Sequence, residues 1–473
     1  MSPLRFLPAA VVLVVVGAIG AVAVAVKPAP AVTAALVTRQ VPISSAINAC
    51  PPGTNGGQDR ISLFAASSGS GSVAVSPLLQ AGEQSVPART GGAPSPGTLS
   101  LLSVPATSTA SKQQGWSVGA TGAMAQGMAA EIADSAGLGY VSCAEPGSDI
   151  WFAGPGQDSG AGQIQLDLMN VDDLAATVDV NIITDAGVAQ AAGFSGITVA
   201  PHQLVTESLS SVASGSSVVA IEVRTSAGRV AAAVSEGSGH GTASWVPSTA
   251  APSTSLIIPG IPPAGEASGL FLVVPGATDA KISITALTAQ GSYQPVGSTN
   301  LPGESASDVP LTPLGGSAVA LRITSNVPIV ASVVVPGTGV GTFTTAADAI
   351  AQQAVIAGNT TAGGLTASLA LTAPAGAAHV RVTETAAPGA TTSQLVTVPA
   401  GRTVDASVAT PPGAKRGTPF AVVITPLPGS GPLYAARVET QGQGTVVSII
   451  PAGNAPSTIS LPPVRDSYDA INP

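Results

Sequence analysis

Charge is scarce in this 473-residue chain: only 9% of residues are Asp, Glu, Lys or Arg. Lysine is nearly gone, with Lys27, Lys112, Lys281 and Lys415 the whole supply. A net charge of −9 is spread thinly and forms no acidic block. No basic patch exists to meet phosphates, so nucleic acid is excluded as a partner. Aromatics are 3% of the chain, and histidines number three: His202, His240 and His379. They fall at different places in the chain's plan, whereas a catalytic or metal constellation gathers its residues at one place. They read as solvated or structural.

Cysteine is limited to Cys50 and Cys143. Two cysteines with no histidine nearby cannot complete a structural zinc site. Outside the cell an even pair reads as one disulfide, which would stabilise the fold by about 4–5 kcal/mol by closing a long loop. Two buried thiols are the alternative.

Abundant instead are Gly (55), Pro (41) and apolar residues, at 45%. The apolar share is too high for disorder, and the turn residues are too many for long helices. Residues 218–246, VVAIEVRTSAGRVAAAVSEGSGHGTASWV, read as three strands separated by Ser-Ala-Gly and Gly-rich turns. The passage recurs about 100 residues later from Ala318, and again from Phe420. Openings recur too, from Asn48, Asp149, Ser255 and Ala354. A self-similar period of this size predicts tandem units. Strand-length runs with turns every 8–12 residues predict one small antiparallel immunoglobulin-like β-sandwich per unit, with a closed or propeller-like arrangement of the same strands as the alternative. The boundaries are a membrane anchor or signal at 1–27, a tether at 28–45, sandwiches at 46–147, 148–250, 251–348 and 349–459, and a tail at 460–473. The tail, which opens like a fifth unit, is expected to lay a strand on the last sandwich.

The first unit hides its ending. MAQGMAAEI at residues 124–132 has helical composition. Its place in the repeat, between runs matching the first and third strands, predicts a strand over residues 123–132 instead. In the second unit the reading gives strands at 163–169, 177–184 and 197–204.

Residues 6–26 are apolar or small apart from Pro8, long enough to span a bilayer as a helix. The expectation is a single-pass anchor in membrane lipid, N-terminus inside and the remainder outside the cell. A cleaved signal is the alternative.

Chemistry-bearing motifs are few. Gly193-Phe194-Ser195-Gly196 only imitates a nucleophile elbow. GTGVG at residues 337–341 leads into a strand, so no helix N-terminus would face a phosphate. Asp167, Asn170, Asp172 and Asp173 offer oxygens to calcium, but Asx-turn chemistry explains them more simply. No cofactor, metal or catalytic residue is expected. Trp116, Trp151, Phe152 and Trp245 lie in the first two units, where they serve either as sugar-stacking rings or as core and interface packing.

TGAMAQGMAAE, CAEPGSDIWFAGPG, LDLMNVDDLAATVDVNIITDAG and RTSAGRVAAAVSEG, spread over residues 50–246, resemble an uncharacterised family of exported actinobacterial proteins, a domain of unknown function. The resemblance implies a membrane-anchored or secreted envelope protein and supplies no activity. The functional expectation is a non-enzymatic scaffold, spacer or interaction module whose partner is an envelope protein or glycan. Glycan binding through the aromatics, and an enzyme with an unrecognised site, are the alternatives.

Overall fold

The computed structural model describes residues 38–462, except 54–56, 82–94, 96, 107–113, 134–139, 160–161, 190–192, 238–242, 263–267, 312–313, 315–316, 337–340, 388 and 443. The expected membrane segment, His240 and most of GTGVG lie outside the described residues. Among the described residues no helix is long and apolar enough to cross a membrane.

The protein is mainly β, built from many small antiparallel sheets, and its helical turns among the described residues are single 3-10 turns. Two compact units are formed. The larger is Pro42–Ile459, and the smaller comprises Met1–Val41 and Ser460–Pro473. Near the chain ends, Arg39–Pro42 pairs with Thr458–Leu461 in a two-stranded sheet. The last described strand thus pairs with the start of the chain; the tail that the sequence reading lays on the last sandwich lies, from residue 463 on, outside the described residues.

Within Pro42–Ile459 one plan repeats four times. In each repeat two sheets enclose apolar side chains, and the ending passage crosses from one sheet to the other. In the first, Gln114–Gly122 lies between Ser45–Cys50 and Gly71–Leu79, while Met128–Ala133 lies between Gly57–Ala65 and Tyr140–Ser142. In the second, Val218–Ala227 pairs with Asp149–Pro155 and Ala176–Thr184, and Ala231–Gly237 pairs with Gln163–Met169 and Ala243–Val246. In the fourth, Phe420–Pro426 and Tyr434–Gln441 take the same places. The third dispenses with the break: Val319–Val335 is one 17-residue strand that serves both sheets. The turn read between the first two ending strands is therefore a corner between sheets, not a hairpin. Hairpins form later, across the Gly-rich loop, as at Gln441 and Thr445.

Two local readings need correction. Residues 123–132 are not one strand. Gly122 and Gly127, at φ 61° and 67°, bracket a 3-10 turn at Ala123–Ala125, and the strand is Met128–Ala133. Positive φ at two glycines reverses the chain before it can extend. Likewise residues 197–204 split into Ile197–Val199 and Leu204–Ser208, because a turn with His202 at φ 54° follows Pro201.

The four cores connect in a cycle. Leu78 and Ala49 of the first repeat share a cluster with Met169, Val171 and Leu204 of the second. The second core continues into Phe271, Val273 and Phe343 of the third. The third takes in Ala436, Val438 and Ile449 of the fourth. The fourth returns to the first where Val355, Ala357 and Ala421 meet Phe64 and Leu99. Burying one such side chain stabilises by about 1.5–3 kcal/mol, so each junction is comparable to a small core.

Candidate functional site

The first and fourth repeats meet around charge. On Met128–Ala133, Met128, Ala130 and Ile132 point into the first core, so pleating turns Ala129 and Glu131 outward. Glu131 enters the fourth repeat, where its oxygens accept N–H bonds from Ala357 at 2.9 Å and Gly358 at 3.1 Å. Arg437, fully buried, lies 3.4 Å from Glu131 through Nη1 and donates from the same nitrogen to the Gly358 carbonyl. Its other arm donates to Ser448 at 2.9 Å and stands 3.8 Å from Glu439. Tyr140 of the first repeat lays its ring 5.1 Å from the guanidinium.

Two carboxyls thus share one cation away from water. Burial pushes the Glu131 carboxyl up to about 7, against the pull of Arg437 and two backbone N–H groups. Burial raises Glu439 as well, again opposed by Arg437. Burial also pushes the Tyr140 phenol up to about 12. The arrangement joins two repeats through buried charge.

A second feature is open. Between the third and fourth repeats lies a groove of about 560 Å³. Its floor is the outer face of three neighbouring strands, Ser253–Ile261, Val319–Val335 and Ala280–Leu287. Leu256, Ile258, Ile282, Ile284, Leu321 and Ile323 point the other way, into the third core. The alternate positions form two cross-strand rows: Ser255, Thr324 and Ser283, then Ile257, Arg322 and Thr285. Pro374, Pro432 and Tyr434 of the fourth repeat form the wall. Tyr434 packs on the small cluster containing Ile257, and burial, with Asp348 adding, raises its phenol.

The residues singled out in the sequence are mostly internal. Cys50 and Cys143 form a disulfide with Cα atoms 4.2 Å apart, tying the first strand of the first repeat to the end of its last. Trp116 is fully buried in that core. Trp151 and Phe152 are buried in the core shared by the second and third repeats. Trp245 is partly exposed and packs on the junction of the first and second. The structure does not bring these four rings together on one open face.

The residues weighed as calcium ligands each have a protein partner. Asp167 is buried against Thr206 at 2.7 Å, and burial pushes it up to about 7. Asn170 accepts the Asp172 N–H and donates to Leu174 and Val199 carbonyls. Asp172 forks with Arg229, which holds its carboxyl below the usual range, and Asp173 meets His202 at 2.9 Å. Among the described residues no group of three or more His, Cys, Asp or Glu is placed to hold a metal. Ser195 donates to Asp179 at 2.6 Å, a loop contact.

The sequence reading missed Glu131, Arg437 and the groove. The signal was present: in a chain so poor in charge, a Glu or Arg inside an apolar strand asks for a partner.

No curated protein matches the chain. Among solved structures, the tetra-tandem repeat in the extending region of a large adhesion protein aligns over 87% of this chain and all of that one. The identity is 12% and the TM-score 0.10, which carries no argument about the fold. A family described as a family of unknown function, DUF5719, matches residues 97–409. That match runs well past the stretch that carried the resemblance in the sequence. The chain belongs to the DUF5719 family.

Proposed function

We propose that this chain is a non-enzymatic protein of the cell envelope, anchored in membrane lipid by residues 6–26 and carrying its sheets outside the cell as a scaffold, spacer or protein-interaction module. In this reading the four repeats are immunoglobulin-like sandwiches in a closed, propeller-like arrangement. The observation that carries it is the return contact of the fourth repeat on the first through Glu131 and Arg437. Such closure spends the internal faces on neighbours and leaves outward strand faces and loops as the working surface, which suits holding or spacing partners. The disulfide fits an oxidising compartment.

Two experiments test the reading. Protease added to intact cells after wall removal digests the sheets and leaves a short anchored fragment; protection of the sheets refutes the topology. Crosslinking the native chain in intact envelopes yields a defined envelope partner, whereas a chain that turns over a small molecule and captures nothing contradicts the scaffold role.

A further inference from the structure

We propose that the groove between the third and fourth repeats binds an anionic saccharide, a sugar chain bearing a carboxylate or phosphate that pairs with Arg322. This site is independent of the anchoring and scaffold reading, because it rests on one sheet face and not on closure or topology.

Arg322 carries the argument. A guanidinium presents donors in a planar fork that matches carboxylate or phosphate oxygens two at a time. Among the described residues it has no hydrogen-bond or ion-pair partner, in contrast to Arg229 and Arg437. It stands at the middle of the groove floor, with Ile257 and Thr285 directly across on either side.

The surrounding chemistry is that of sugar recognition. Among the described residues, Ser255, Thr285 and Thr324 direct no side-chain hydroxyl bond to the protein, and Ser283 receives only a long contact from Gln294, at 3.5 Å. Each hydroxyl both donates and accepts, as a sugar hydroxyl does. Cross-strand neighbours lie about 5 Å apart, comparable to the width of a sugar ring, so the two rows form a grid along which rings can lie. Tyr434, Pro374, Pro432 and Ile257 supply the apolar surface that the C–H face of a ring requires. The volume, about 560 Å³, falls within the range of small-ligand sites.

An acidic peptide fits less well. Peptides commonly bind sheets by pairing with a free edge. Here the central strand of the floor, which carries Arg322, offers side chains only, since its backbone groups are spent on neighbours at both sides.

The test is calorimetric titration of the full-length chain in non-ionic detergent with four probes: trigalacturonic acid, maltotriose phosphate, neutral maltotriose and pentaglutamate. Binding of either charged saccharide at one site, weakened at least tenfold by Arg322→Gln and less by Arg322→Lys, is the expected result; which of the two binds identifies the anionic group. Thr285→Ala weakens binding about threefold, and Trp245→Ala leaves it unchanged. Unfolding midpoints of the variants are measured alongside, and Arg322→Lys keeps the charge should Arg322→Gln misfold. The proposal is overturned if neither charged saccharide binds or if neutral maltotriose binds as tightly. Equal displacement by pentaglutamate, or indifference of a folded Arg322→Gln chain, overturns it as well.

Discussion

Glu131 and Arg437 are 306 positions apart in sequence, yet their side chains meet at 3.4 Å with both nearly or fully buried. Removing two charges from water costs several kcal/mol each, and their attraction repays this only with further hydrogen bonds in place. Those bonds are present: Ala357 and Gly358 donate to Glu131, and Arg437 donates to Ser448 and Gly358. The cluster therefore contributes more to the uniqueness of the junction than to net stability. A wrongly docked repeat would leave a buried charge alone.

Stability falls as pH rises from about 4.5 to 7. Glu131 and Asp167 both titrate near 7 in the folded chain, against 4.5 and 3.8 for the free groups. Over that window the unfolded chain releases its protons while the folded chain retains them. Each group's contribution is complete below its free value and is lost by the time the folded group ionises, on the order of 3 kcal/mol for Glu131 and 4 kcal/mol for Asp167. Asp172 and Asp179, held low by Arg229 and Ser195, act only below pH 4 and in the opposite sense. Urea midpoints fall between pH 5 and pH 8, and Asp167→Asn flattens part of the slope. Midpoints that rise across that range contradict the assignment.

Loss of the disulfide costs about 2–5 kcal/mol. Cys50→Ala with Cys143→Ala should lower the unfolding midpoint of the first repeat most, because both ends of that bond belong to it. Mass mapping without reductant finds the linked peptide. An unchanged midpoint after reduction speaks against a structural role for the bond.

Gly127→Ala opens the junction of the first and fourth repeats. Gly127 has φ 67°, and an added Cβ would lie 2.8 Å from Ala66 Cβ and closer still to Gln353 Nε2. Strain and collision act together, so destabilisation of about 1–3 kcal/mol is expected. Gly196→Ala, at the matching φ of 69° but with open space around it, carries the strain alone and costs less. Equal costs for the two would show that no junction closes over Gly127.

Much of this fold was legible, for a definite reason. A period near 100 residues, Gly-bearing turns and alternating strands are local signals, and they gave strands such as Gln163–Met169 at their observed bounds. Disulfide pairing followed from having only two cysteines. Less legible were corners and contacts. Whether a turn folds a strand back or sends it to the other sheet depends on packing, as the uninterrupted Val319–Val335 shows where its counterparts break. Residues 123–132 followed the repeat in their second part only, since two left-handed glycines override the register. The groove floor is a period-two row on each of three strands, visible one strand at a time. Their alignment into a grid needs the register that only tertiary structure sets.

Trp116 and Trp245 separate core from junction. Trp116→Ala should cost about 3–5 kcal/mol, the cost of a large cavity in the first core. Trp245, partly exposed, should cost less. Denaturation of the two variants under one condition checks the order, and the reverse order would place the first core elsewhere.

The return of the fourth repeat onto the first is the central claim, and a double-mutant cycle reads it directly. Glu131→Gln, Arg437→Met and the double variant are unfolded in urea at pH 8.5, above the folded value of about 7 for Glu131, so that its carboxylate is ionised. Contact between the two side chains predicts a coupling of about 1–3 kcal/mol, with Arg437→Met the costlier single change because it strands two carboxyls. Costs that add to within about 0.5 kcal/mol would mean the two residues do not touch, and the cycle of repeats would be open.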